Sequence, residues 1–393
     1  MILEDKKMFD YAAYAQKIRE EIHEYPEIGY DLEHTLSVVH RELDAMGIEH
    51  TDKYCRSSVV GYINPGKSFT IGMRADMDAL PIQEEVDVPF KSKNPGKMHA
   101  CGHDAHTAIL LAAAKALKDR EQELNCTVKL IFSPAEEYID PGCKHLAENG
   151  VMDDVDCAIA MHVGTDIPAG TILVNDAGGM NGNSAGFNID FYGKSCHAAS
   201  QHNGKDAILM AVDAITAMEF MVAKEVDGRK TKVLNIGSIH GGEVANVVCN
   251  HVALKGTLRT WDDEVNDYIL KRIEEICNGV ALQAGGTAKF DLYKYMPHMI
   301  THPAMQQRLR ALAGRLAGGD DKVIRKERTM GGEDFAFLTR KKPCGHFKVG
   351  IKPAYKAKNV GHSGGMELDN AVFKPAVDMF VNFILENQNG IEF

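Results

Sequence analysis

The sequence predicts an α/β protein: a large mixed sheet with helices on both faces, interrupted by a small α+β domain. Three observations carry this reading. Short apolar, β-rich runs alternate with helix-patterned segments in the first part of the chain. The order then changes to strand–helix–strand–strand–helix–strand, the split βαβ order of ferredoxin-like domains. After about Pro297 the alternation of helices and short strands resumes. The chain therefore divides into an outer domain over 1–182 and 297–393 and an inserted domain over 183–296.

The elements follow in order. The first strands are expected at 58–63, 70–74, 127–132 and 156–161, each an apolar run of strand length. Helical patterns lie between them, at 107–118 and 143–149. In the inserted domain, 184–192 alternates as a strand and 206–222 is a long amphipathic helix. Strands at 232–240 and 246–260 flank the turn Gly241-Gly242, followed by a helix at 263–284 and a strand at 287–295. Loops at 176–183 and 296–303, the first rich in Gly and Asn, mark the boundaries.

Bulk composition excludes several classes. The chain has 393 residues, enough for two or three cores, with 45% hydrophobic and 25% charged residues, the balance of a soluble globular protein. Its net charge is −11 with no basic run, which argues against nucleic-acid and anionic-membrane partners. The N-terminal stretch is charged and lacks the apolar core of a signal peptide, and no run is long enough for a membrane span. The nine cysteines are scattered, with no CxxC. Reduced thiols in a cytoplasmic protein are expected.

The chemistry concentrates in Met98-His99-Ala100-Cys101-Gly102-His103-Asp104-Ala105-His106. Imidazole and thiolate are the side chains best suited to borderline-soft divalent metals. Helical sequence follows, so the motif reads as a ligand loop at a helix N-terminus. Four further places add to it. Asp76 ends a strand and is placed to orient a metal-bound histidine. Glu136 and Glu137 close the 127–132 strand, where two adjacent carboxylates need a positive neighbour if buried. His162 follows the 156–161 strand, and His362 sits in a glycine-rich turn. Each alone competes with an ordinary turn or a structural histidine. Together they supply donors for two metal ions and a general base. A rival reading makes Cys101 a nucleophile activated by His103 or His99, and leaves the carboxylate pair, His162 and His362 unexplained.

The motifs resemble those of the dinuclear-metal aminoacylase/carboxypeptidase superfamily, peptidase family twenty, in its amidohydrolase branch. They are RADMDALP (74–81), MHACGHDAHTA (98–108), SPAEE (133–137), GKSCHAA (193–199), GGEVANVV (241–248), GTLR (256–259) and GGEDFA (331–336). The branch includes hippurate hydrolases, auxin-conjugate hydrolases and p-aminobenzoyl-glutamate hydrolases; 161–171 is most similar to the last of these. The resemblance implies Cys101, His103, Glu137, His162 and His362 as metal ligands and Glu136 as catalytic base. Arg74 stands where the parent superfamily has a histidine and is not assigned as a ligand. The inserted domain corresponds to a lid and homodimerisation domain. There His197 corresponds to a histidine that reaches a partner's active site and helps hold the oxyanion. Asn246 and Arg259, on one predicted strand, correspond to substrate-binding residues.

The implied activity is hydrolysis of the amide bond of N-acyl amino acids, with an aromatic acyl group favoured. Each protomer would use two divalent ions (Zn, Mn, Co or Ni). The alternatives are a metallo-dipeptidase or carboxypeptidase, or a metal-binding partner protein with little activity alone. Gln201, Cys196, Cys249-Asn250 and the residues after His362 depart from the branch's usual pattern, and they bear on substrate preference.

Overall fold

The computed structural model describes residues 9–393, which form two compact units. The first runs to Gly178 and resumes over Ile300–Glu327 and Asp334–Phe393. Its seven-stranded sheet has a parallel centre in the order Thr127–Ser133, Thr70–Asp76, Cys157–Pro168, Cys344–Lys352. Antiparallel strands Val59–Ile63 and Glu49–Thr51 continue it on one side, and Ile172–Leu173 on the other. Thr70–Asp76 and Thr127–Ser133 are buried at every position, as parallel strands covered on both faces are. Helix His103–Lys118 packs against Tyr11–His23 and Phe373–Asn387. Among the described residues no helix is long and apolar enough to cross a membrane.

Two boundaries in this unit differ from the sequence expectation. The helix expected from Thr107 begins at His103. Gly102, with φ 92°, provides the N-cap position, and the polar residues of the first turn hide the apolar period. The strand expected to end at Met161 continues to Pro168, because its ladder with Cys344–Lys352 persists through Val163 and Gly164. His162 therefore lies inside a strand rather than after one.

The second unit comprises Gly179–Met299 with Arg328–Glu333. Its four antiparallel strands are ordered Thr287–Met296, Asn183–Tyr192, His251–Thr260, Lys232–Gly241. Helices Ala207–Lys224 and Asp263–Ala284 supply the other half of its core, around Phe187, Phe191, Leu254, Met218 and Ile273. Asp206 and Asp262 cap the two helices through main-chain N–H groups. This is the split βαβ order read from the sequence. One strand is shorter than expected: it starts at His251, not Asn246. The preceding segment spends its main-chain bonds on another loop, with Ala198 N donating to Asn246 O (2.9 Å) and Val248 N to Cys196 O (2.9 Å). Arg328–Glu333 joins this unit through Thr329, whose carbonyl accepts from Gly182 N and Trp261 Nε1, both at 3.2 Å.

A buried ionic network ties the first helix to the start of His103–Lys118. Asp104 accepts from Arg19 Nε at 2.7 Å and lies 2.6 Å from His23 Nδ1, while His23 Nε2 meets Glu84 at 3.2 Å. Burial opposes the Asp104 charge, but Arg19 and His23 hold its carboxyl below the usual range. Removing one member of such a network strands the others in a dry site. Asp104→Asn is expected to lower unfolding free energy by about 3–5 kcal/mol in urea titrations; a loss below about 1 kcal/mol, the range of exposed pairs, would contradict this account.

Candidate metal centre

The parallel register builds the floor of the site. Asp76 pairs in register with Ser133, and Arg74 with Ala160. Asp76 thus stands level with Ser133 on one side, and His162 follows two residues after the Arg74–Ala160 pair on the other. Side chains repeat every second residue, so Arg74 and Asp76 share one face, as do Ala160 and His162. The C-terminal ends of parallel strands open onto the crevice where α/β sheets bind ligands.

Onto this floor three loops bring the remaining side chains. The first carries Cys101 into helix His103–Lys118. Its turn needs Gly102: besides the left-handed φ, a Cβ there would lie 2.6 Å from Val163 Cγ2. The second follows Thr127–Ser133 and carries Glu136 and Glu137. Ala135 adopts φ 59° in this turn. Asp78 holds the turn, its Oδ1 accepting from Glu136 N (3.0 Å) and its Oδ2 from Glu137 N (3.1 Å). The third carries His362, also left-handed at φ 56°, whose N–H donates to Ala100 O at 2.8 Å.

The donors fall into several overlapping close groups, and two sets of three among them share Cys101. Cys101, His103 and His162 make one set, and Cys101, Glu137 and His362 the other; within each set the ligand atoms lie within 4.8 Å of one another. Cys101 Sγ is 3.4 Å from His162 Nε2, and His362 Nε2 is 2.8 Å from Glu137 Oε1. Glu136 is buried beside both, its Oε2 4.0 Å from His103 Nε2. All six side chains belong to the first unit.

The electrostatics suit cations. Burial pushes the Cys101 thiol up, so a thiolate here needs strong positive charge nearby. Burial opposes the Glu137 charge, yet His362 and His103 draw its carboxyl down. Burial also holds His162 low, hence neutral and able to donate a lone pair. His103 is fully buried and neither ring nitrogen makes a well-formed hydrogen bond. Its nearest carboxylates are Asp78 (3.3 Å), Asp76 (3.8 Å) and Glu136. A buried imidazole without such bonds, in a set of thiolate, imidazole and carboxylate donors, fits a divalent metal.

Some sequence assignments change in detail. Asp76 bonds to His106 (2.5 Å) and lies 3.8 Å from the candidate ligand His103. Arg74 is buried, giving Nε to Ser133 Oγ (2.9 Å), Nη1 to Asp76 (2.8 Å) and Nη2 to Asp334. Asp334 in turn accepts from Cys143 N at 2.9 Å. Asp78 was not foreseen; the acidic doublet in RADMD was the available signal. His197, Asn246 and Arg259 all lie in the second unit. His197 is exposed, and main-chain pairing places its loop beside Asn246 and Val247. Asn246 is not on the strand that carries Arg259; it lies in the turn before it. Arg259 is half-buried and bonds Ser184 Oγ.

Asp78→Ala removes both acceptors from the Glu136–Glu137 turn. Loss of such a supporting group typically costs 10–100-fold. Hydrolytic kcat/KM is expected to fall by about that factor with the circular dichroism spectrum retained; unchanged turnover would show that the turn holds without Asp78.

The chain is similar to known proteins over most of its length. The model of peptidase family M20/M25/M40 matches residues 72–386. An IAA-amino acid hydrolase of Arabidopsis thaliana is 36% identical over 88% of this chain and 79% of its own. N-acetylcysteine deacetylase of Bacillus subtilis is 33% identical over 83% of this chain and 85% of its own. Among solved structures, a dinuclear metal-binding peptidase of Bacillus subtilis superposes with TM-score 0.80 at 29% identity, covering 96% of this chain and 98% of the other.

Proposed function

The chain belongs to the M20/M25/M40 peptidase family, and from that premise we propose that it hydrolyses the amide bond of N-acyl amino acids, with an aromatic acyl group preferred, to a carboxylic acid and a free amino acid. The observation that carries the reading is the pair of three-donor sets sharing Cys101, with the buried Glu136 beside them. The names of the plant hydrolase and the bacterial deacetylase both describe an acylated amino acid, which supports the substrate class. The similarity of 161–171 to aminobenzoyl-glutamate hydrolases supports the aromatic acyl group.

Cys101, His103 and His162 would hold one ion, and Cys101, Glu137 and His362 the other. When bound, two divalent ions supply Lewis acidity and lower the pKa of water towards neutrality. The donors accommodate Zn, Mn, Co or Ni. Glu136 takes the proton of the attacking water and passes it to the leaving amine nitrogen. His197, from a partner protomer, donates to the oxyanion. Arg259 pairs with the substrate carboxylate, assisted by Asn246.

The second unit supports the homodimer this scheme needs. Among the described residues Lys232–Gly241 is an edge strand with one side unpaired. Helix Ala207–Lys224 leaves Leu209 60% and Phe220 62% exposed, with Val212 also exposed. An apolar helix face in the same small domain as an open sheet edge suits a second copy.

Glu136→Gln is expected to lower kcat/KM by about 10²–10⁴-fold, the range for general-base loss, while metal content stays unchanged; near-normal hydrolysis by the variant would overturn the base assignment. Chelation is expected to abolish release of free amino acid from a panel of N-acyl amino acids, and Mn²⁺ or Zn²⁺ to restore it, with aromatic acyl groups turned over fastest. No turnover by the metal-loaded protein would refute the enzyme reading. Mixing inactive His197→Ala protomers with inactive Glu136→Gln protomers is expected to restore activity, since the hybrid has one complete site; a mixture that dimerises and stays inactive would exclude His197 acting across the dimer.

A further inference from the structure

His106 lies inside the ligand motif, yet its ring is fully engaged elsewhere. Its Nε2 accepts the main-chain N–H of Val163 at 2.9 Å. The ring proton must then sit on Nδ1, which lies 2.5 Å from Asp76 Oδ1. Neither nitrogen keeps a lone pair for a metal. Asp76 is itself fixed from two sides, by Arg74 Nη1 at 2.8 Å and by Thr107 Oγ1 donating to its carbonyl at 2.8 Å.

What His106 grips is the residue next to a candidate ligand. The Val163 carbonyl lies 2.7 Å from His162 Nδ1 and accepts its proton. That bond leaves the lone pair on His162 Nε2, the atom 3.4 Å from Cys101 Sγ. The close approach of Val163 to Gly102 holds the same residue from its side chain. An unbroken series of contacts thus runs from Arg74 through Asp76, His106 and Val163 to His162.

We propose that His106 is a positioning residue: by fixing the main chain of Val163 it sets the tautomer and direction of His162 and so tunes one of the two metal positions. The proposal rests on His162 being a ligand. It separates His106 from His103 and Cys101, with which it shares a motif, and explains why a third histidine sits there without coordinating.

The test compares the full-length wild type with His106→Phe, His106→Gln and His162→Ala by equilibrium dialysis against Co²⁺, with visible d–d absorption as a second readout. Glutamine retains an acceptor for Val163 and a donor for Asp76; phenylalanine retains neither. For His106→Phe the dissociation constant of one Co²⁺ is expected to rise about 10–100-fold while the other is unchanged. The d–d spectrum of the weakened site is expected to shift. His106→Gln is expected to stay near the wild type in affinity, spectrum and metal-free melting temperature. A His106→Phe isotherm and spectrum identical to wild type would overturn the proposal. Equal weakening of both ions with a lowered metal-free melting temperature would also overturn it, as that marks general destabilisation. If His162→Ala leaves both ions bound as before, the ligand assignment itself fails, independently of His106.

Discussion

The site depends on one electrostatic constraint: a thiol and several carboxylates are buried together, and the two guanidinium groups nearest them are committed to other carboxylates. Arg74 serves Asp76 and Asp334, and Arg19 serves Asp104. The neighbours of Cys101 in its two donor sets are Glu137 and three imidazoles. An imidazole cannot neutralise a carboxylate as a cation and donate a lone pair at once. Divalent ions would resolve this, because each would compensate anionic charge while leaving the histidines neutral. With Cys101 in both donor sets, one thiolate would serve two ions.

Backbone geometry makes this clustering possible. The parallel ladders set Asp76 level with Ser133, and Arg74 level with Ala160 two residues before His162, without any side-chain contact having to enforce it. Three left-handed residues, Gly102, Ala135 and His362, then turn three loops inward. The non-glycine members are strained by roughly 1–3 kcal/mol each, a cost that the surrounding contacts must offset. Asp78 does so for Ala135 through two main-chain bonds, and Ala100 does so for His362 through one.

Legibility in the sequence followed the density of the signal. Cys101 and His103 stood out because Cys and His crowd one short stretch, and Glu136-Glu137 because two carboxylates close an apolar strand. His162 and His362 are single histidines, one after a predicted strand and one in a glycine-rich turn, where a structural histidine competes with a ligand. Asp78 was missed because its work is done through main-chain N–H groups nearly sixty residues away, which no local pattern encodes. The helix start at His103 was hidden because the first turn is polar for chemical reasons, and local periodicity sees only apolar spacing. Asn246 was placed on a strand because its neighbours are β-branched, whereas its backbone is bonded to the 196–198 loop.

The central claim is that Cys101 is shared between two metal ions, and anomalous diffraction from crystals of the Zn²⁺- or Mn²⁺-loaded protein tests it most directly. Two peaks are expected, both bonded to Cys101 Sγ (about 2.3 Å for zinc), one reaching His103 and His162 and the other Glu137 and His362. A single peak, or two peaks of which one does not touch Cys101, would contradict it.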